Sequence, residues 1–281
     1  VPSDIEISNN YFFKPLTLIN TPYPTKNLLE FKSAQRVLVT GNTFQNNPAG
    51  AQNGFTILLT PRNQSGGAPW SITSDVAITN NTIINAGSGF NLSGHDSPNK
   101  SGLTARVLIR NNLVGITGLN GADGRAFEVT NSGSDYTIDH NTIVNTSPGS
   151  TASDTMFAES PNPKVSNFAF TNNLATRSSY GFYGNNNGQC TPALNGNFSN
   201  WVFAKNVIVG APASSYPAGN FFPATVAAVN FVSYSGANYA LASNSPYKAA
   251  GTDGTDIGAD LSSAAMLSAV SPNPPGNVVV K

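Results

Sequence analysis

The segment Asp135-Tyr136-Thr137-Ile138-Asp139-His140-Asn141-Thr142-Ile143-Val144-Asn145-Thr146 decides the fold, because its centre, apolar-x-x-Asn-x-apolar, returns along most of the chain. It occurs as Ile7-Ser8-Asn9-Asn10-Tyr11-Phe12, Val39-Thr40-Gly41-Asn42-Thr43-Phe44, Ile78-Thr79-Asn80-Asn81-Thr82-Ile83 and Ile109-Arg110-Asn111-Asn112-Leu113-Val114. Ile138 to Ile143, Phe170-Thr171-Asn172-Asn173-Leu174-Ala175 and Phe203-Ala204-Lys205-Asn206-Val207-Ile208 complete the set. The anchors Asn10, Asn42, Asn81, Asn112, Asn141, Asn173 and Asn206 stand 32, 39, 31, 29, 32 and 33 residues apart. A steady period of about thirty residues marks a stacked repeat.

Before each anchor, apolar and polar residues alternate, as in Val76-Ala77-Ile78, which is the period of a strand and excludes a helical repeat. A sharp turn between strands suits Asn, which tolerates left-handed dihedrals, and equivalent Asn side chains in neighbouring coils are expected to form an amide ladder. A third strand is expected midway between anchors: Leu28 to Lys32, Gly54 to Thr60, Gly89 to Ser93, Arg125 to Thr130, Thr155 to Ala158 and Tyr180 to Tyr183. Three strands per coil, stacking about 4.8 Å apart, give an all-β right-handed parallel β-helix, a three-sheet solenoid of about seven coils.

The organisation expected is a β-helix over 1–209, a C-terminal capping segment over 210–270 and a Pro-rich tail or linker over 271–281. A solenoid needs such a cap because its end strands would otherwise pair with other chains. Strand-like pieces Asn230 to Tyr234 and Tyr239 to Leu241 fall in the cap, and Ala259 to Ser271 reads as a short helix.

Composition agrees with a turn-rich β protein: 37 Asn, 26 Gly and 19 Pro in 281 residues. Only 10% of residues are charged, and 14 acidic side chains balance 14 basic ones, so neither nucleic acid nor an anionic membrane is indicated as a partner. Apolar runs fall short of the roughly 18 residues of a membrane-spanning helix. Cys190 is the single cysteine, which excludes an internal disulfide and paired thiolate ligands. The chain starts at Val1 already in a strand-like pattern, so it is expected to be a piece or mature form of something longer.

The coil pattern over residues 1 to 260 resembles the bacterial right-handed parallel β-helix repeat proteins of the pectin-lyase-like superfamily. Val1-Pro2-Ser3-Asp4-Ile5-Glu6-Ile7, Asn53-Gly54-Phe55-Thr56-Ile57-Leu58-Leu59-Thr60-Pro61-Arg62-Asn63-Gln64 and Ser245-Pro246-Tyr247-Lys248-Ala249-Ala250-Gly251 with its continuation to Ala259 are similar to an exported subgroup. The resemblance implies a secreted or cell-surface location and further N-terminal coils of the same chain. The superfamily holds polysaccharide lyases and glycoside hydrolases beside non-catalytic adhesins, so fold alone gives no activity. The polygalacturonase motifs are absent. Ile138-Asp139-His140 is similar to the Trp-Ile-Asp-His element of pectate lyases with Thr137 in place of Trp, but Asp139 and His140 occupy the same repeat slots as Thr79 and Asn80. That register favours a structural role.

In β-helix enzymes of this superfamily the substrate lies along one parallel sheet, and the mid-unit strands are the expected equivalent here. Alternation turns Phe90, Leu92, Phe127 and Val129 inward and Asn91, Ser93, Glu128 and Thr130 outward, with Glu30 and Glu159 extending the line. Asp123, Arg125 and Glu128 are the catalytic candidates, and Asn91, His95, Asp96, Glu159 and Trp70 the substrate-binding ones. Two carboxylates could serve as acid and base for glycoside hydrolysis. Alternatively they could hold Ca²⁺ against a uronate beside Arg125, as in a lyase, so Ca²⁺ is a possible rather than a required cofactor and its ligands stay open. Ordinary turns and solvated strand residues account for the same side chains. The expectation is therefore an extracellular carbohydrate-associated β-helix, with a non-catalytic structural or adhesive surface solenoid as the alternative. Asp253-Gly254-Thr255-Asp256 reads as a capped turn in preference to a Ca²⁺ loop.

Overall fold

The computed structural model describes residues 1–146, 153–176 and 179–262. They form an all-β parallel solenoid of about 6 turns with three main sheets and little helix. The first sheet stacks Ser3–Ser8, Ala34–Thr40, Thr73–Thr79, Thr104–Arg110, Ser134–Asp139 and Val165–Thr171, and ends on the split rung Phe198–Ser199 and Val202–Ala204. The second stacks Tyr11–Phe13, Thr43–Asn47, Thr82–Ala86, Leu113–Ile116, Thr142–Asn145, Leu174–Thr176 and Val207–Val209. The third runs Leu29–Phe31, Phe55–Leu59, Ser88–Ser93, Phe127–Thr130, Asp154–Glu159 and Gly181–Gly184, with Gly188–Gln189 pairing antiparallel at its end.

Like side chains stack on like inside the coil. Val39, Ile78, Ile109, Ile138, Phe170 and Phe203 occupy one inward column, and each is almost completely buried. Phe90 stacks on Phe127 at 5.2 Å between ring centroids, and Phe170 on Phe203 at 5.5 Å. Such pairs add about 0.5–1.5 kcal/mol to the area they bury. Tyr136 fits the same interior only because Gly133, at φ +120, leaves room for its ring; a Cβ there would lie 2.0 Å from the Tyr136 hydroxyl.

The amide ladder is continuous. Asn42 Nδ2 and its backbone N–H both donate to Asn81 Oδ1, at 3.0 and 2.9 Å, and the same pair of bonds repeats from Asn10 to Asn206. Asn220, outside the repeat, receives the last pair. One expectation needs correcting: the anchor Asn is not the left-handed residue. Positive φ falls one position earlier, at Asn9, Gly41, Asn80, Asn111, His140, Asn172 and Lys205. The turn bends there, which frees the anchor side chain to point inward and serve the ladder.

Six residues before each anchor runs a second left-handed column: Asp4, Arg36, Asp75, Arg106, Asp135, Asn167 and Asn200. Arg36 grips Asp4 with two bonds of 2.7 and 2.8 Å, and Arg106 grips Asp75 with two of 2.6 and 2.8 Å. This outer charged ladder lines one edge of the first sheet.

Beyond Val209 the chain does more than cover the last coil. Tyr216 packs on Phe203 and Phe221 bridges to Val207, closing the end. Val229, Tyr247 and Ile257 then form a second core with Leu174, Val207 and Val209. Residues 251–260 finally run back along the side of the solenoid as a strap: Thr252 bonds Asn172, Ala259 bonds Thr142 and Asp260 bonds Asn111. Within the expected helix Ala259 to Ser271, residues 259–262 are irregular. The remainder of that helix and the 271–281 tail lie outside the described residues.

Candidate functional site

The third sheet turns Phe90, Leu92, Phe127 and Val129 inward with no exposure, so their neighbours face out. Register lines up Glu30, Leu58, Asn91, Glu128, Phe157 and Tyr183 in one outward column. Ser93, Thr130 and Glu159 form the next. Glu30 and Glu159 thus extend different columns, and Leu58 and Phe157 interrupt the first with apolar surface.

Asp123, Arg125 and Glu128 converge. Arg125 Nη1 stands 2.5 Å from Glu128 Oε2 and 3.1 Å from Asp123 Oδ2, and its guanidinium carbon lies 3.9 Å from the centroid of the Phe157 ring. Asn91 Nδ2 donates to the other Glu128 oxygen at 2.7 Å, and Asn53 Nδ2 donates to Asp123 at 3.1 Å. A third carboxylate, Asp154, places Oδ2 3.5 Å from Arg125 Nε, and its side chain is only 2% exposed. Burial pushes Glu128 above its usual range against the pull of Arg125, and pushes Asp154 up to about 7 against the same pull. Both carboxyls therefore hold a proton more readily than an exposed acid. The centre of the cluster is a guanidinium, and among the described residues no group of three His, Cys, Asp or Glu could hold a metal ion.

Beside the cluster an open groove of about 430 Å³ crosses the sheet face. Asn91, Ser93 and Thr130 lie on its floor, with Glu30, Arg62 and His95 among its other lining residues. Asn91 belongs to both groove and cluster. Asp96 also borders the groove, but its carboxylate is held by Arg62 Nη1 at 3.0 Å and by the Asn63 backbone N–H at 2.9 Å, which ties two loops together. His95 Nδ1 is turned to the Asp96 carbonyl. Glu159 accepts from Asn185 at 2.6 Å farther along the sheet. Trp70 is 60% exposed and does not line the groove.

A second polar cluster sits under the strap. His140 Nδ1 bonds Asp139 Oδ2 at 2.8 Å, and Nε2 faces Thr255 Oγ1 at 3.0 Å. The order acid, imidazole, hydroxyl imitates a nucleophilic relay, but the Thr255 hydroxyl donates to Asp253 Oδ1 at 2.8 Å and has no proton left to give His140. Arg110 joins Asp139 and Asp253, at 3.3 and 3.4 Å. Hydrogen bonds from His140, Thr171 and Asn172 outweigh partial burial and hold Asp139 below the usual carboxylate range. The cluster fastens the strap, as the repeat register of Asp139 and His140 anticipates.

Asp154 and Phe157 are not among the candidates that the sequence pattern singles out, because alternation alone does not fix the register of the strand around Thr155 to Ser160. The signal was available: Arg125, three residues before Glu128, fixes which residue of the next coil lies beside it.

Compared with known proteins, the chain matches no family model, and no curated protein or solved structure matches it.

Proposed function

We propose that this solenoid is an exported bacterial protein, secreted or held at the cell surface, that binds an extracellular polysaccharide along the outward face of its third sheet. The observation that carries the reading is the joining of a polar groove to the Arg125 cluster through Asn91. The Ser93 and Thr130 hydroxyls, stacked on successive rungs at the strand spacing of about 4.8 Å, offer hydrogen bonds to successive units of an extended polymer, with the Asn91 amide beside them. Membership of the pectin-lyase-like superfamily belongs to the same proposal, supported by the three-sheet coil and the Asn ladder.

A hydrolase reading is favoured over a lyase by one observation. The raised Glu128 carboxyl suits a general acid, whereas Arg125 Nη1 is already shared by two carboxylates and is poorly placed to neutralise a uronate. The test is to incubate the protein with neutral and uronic polysaccharides, with and without Ca²⁺, and to follow binding by calorimetry, new reducing ends, and the absorbance of unsaturated products. Binding with reducing ends supports hydrolysis, binding alone leaves an adhesive module, and no binding across the panel sinks the carbohydrate reading.

A further inference from the structure

Ser88, Arg125 and Asp154 occupy one column on three successive rungs of the third sheet, two residues ahead of the Phe90, Phe127 and Met156 stack. Among the described residues, three buried polar atoms in this column find no hydrogen-bond partner: Ser88 Oγ, Arg125 Nε and Asp154 Oδ1. Buried polar groups are nearly always paired, so Arg125 and Asp154, which face each other on adjacent rungs without closing a hydrogen bond, call for a physical account. Arg125 is the hinge of the set. Its Nη1 is drawn to Glu128 and Asp123, while its Nε stops 3.5 Å short of Asp154 Oδ2.

We propose that Asp154 is the positioning residue of the cluster: its carboxylate competes with Glu128 and Asp123 for Arg125, and so decides whether Glu128 is clamped or presented to the groove. The two arrangements differ by a short motion. A protonated Asp154 needs no counter-ion, which fits the long Nε contact, and Arg125 then stays on Glu128. An ionised Asp154 closes the gap into a charge-assisted hydrogen bond, with the guanidinium turning on the face of Phe157. Arg125 leaves Glu128, whose other oxygen is still held by Asn91 on the groove floor.

The charged groups facing Asp154 are Arg125, Asp123 and Glu128, and Glu159 adds its charge at Glu128. Burial places the Asp154 transition at about 7, so the exchange falls near neutral pH. The consequence for sugar binding rests on the function proposed above; the positioning itself does not.

The test therefore begins on the free protein. Carboxyl-carbon and arginine side-chain NMR signals are followed from about pH 5 to 9 in the wild type and in Asp154→Asn, with circular dichroism to verify folding. The expected result is that Arg125 Nε–H and the Glu128 carboxyl shift together with the Asp154 midpoint, and that both shifts vanish in Asp154→Asn. Wild-type Arg125 and Glu128 signals that stay flat while Asp154 titrates would overturn the proposal without any variant, as would a transition that survives in Asp154→Asn. A second arm measures affinity for a bound polysaccharide on either side of the midpoint. Affinity that changes about threefold or more in the wild type and stays constant in Asp154→Asn extends the positioning to function. Free-protein coupling without any polysaccharide binding would overturn only the carbohydrate reading.

Discussion

Asn112 Nδ2 donates to Asn141 Oδ1 across 2.9 Å, and the Asn112 backbone N–H donates to the same oxygen across 3.0 Å. Asn141 Nδ2 in turn serves the carbonyls of Ile109 and Asp139. Asn141→Ala removes one acceptor and one donor at a fully buried position. An unsatisfied buried polar group costs about 1–3 kcal/mol, so a loss of about 3 kcal/mol or more is expected in chemical denaturation. Asn141→Asp should be no better, because it keeps the acceptor but loses the donor and buries a charge. A loss below about 1 kcal/mol for both would remove the ladder from the account of stability.

The strap makes a local prediction. His140 joins it to the solenoid through Thr255, and Asn172 does so through Thr252. His140→Asn keeps a residue suited to the left-handed turn but cannot reach both partners. Amides of residues 251–260 should exchange about tenfold faster by hydrogen–deuterium exchange, while those around Ile138 stay protected. Uniform loss of protection would mean that His140 supports the coil itself.

The periodic part of this molecule was legible because burial repeats every coil: each inward position of Val76-Ala77-Ile78 is answered one coil later by Val107 and Ile109. The outer Asp4, Arg36, Asp75, Arg106 ladder has the same period, six positions before each anchor, but its exposed charges carry no burial pattern to mark it. The strap was not readable, since residues 251–260 carry no repeat and bond to slots from three different coils. At the site, Asp123, Arg125 and Glu128, grouped because they flank the same mid-unit strand, do lie together, while Asp96, expected to contact substrate, is held by Arg62 and Asn63.

The outer ladder should matter little to stability despite its geometry. Arg106 holds Asp75 with two bonds, yet both side chains are well exposed, at 56% and 36%. Exposed ion pairs contribute about 0–1 kcal/mol. Asp75→Ala is expected to cost no more than about 1 kcal/mol in thermal or urea unfolding, well below Asn141→Ala. A larger cost would show that the left-handed backbone at Asp75, and not the ion pair, is what the residue maintains.

Asp154 acts on stability in the opposite sense to an acid such as Asp4 that an arginine holds down. Its carboxyl is pushed up from 3.8 to about 7, so between those values the folded chain holds a proton that the unfolded chain has released. Unfolding free energy therefore falls as pH rises through that window. Asp4, held down at about 2 by Arg36, contributes the reverse: its part is present above 3.8 and lost as pH falls toward 2. Asp154→Asn should leave stability unchanged near pH 3 and raise it at pH 8, with about 4 kcal/mol as a ceiling. Urea unfolding at the two pH values checks it, and equal effects at both would place the Asp154 titration outside this range.

Sugar binding, if it follows the groove, separates residues that composition alone would group together. Asn91 lies on the floor and orients Glu128, so Asn91→Ala should weaken polysaccharide binding about threefold to tenfold, the range of one net hydrogen bond. Phe157→Ala removes the ring beneath Arg125 and should lower affinity while shifting the pH at which binding changes. Trp70→Ala should leave affinity unaltered, because its exposed ring stands outside the groove. Calorimetric titration of the three variants against one bound polysaccharide decides the matter. Loss of binding in Trp70→Ala with full binding in Asn91→Ala would move the sugar off the third sheet and onto the loop that carries Trp70.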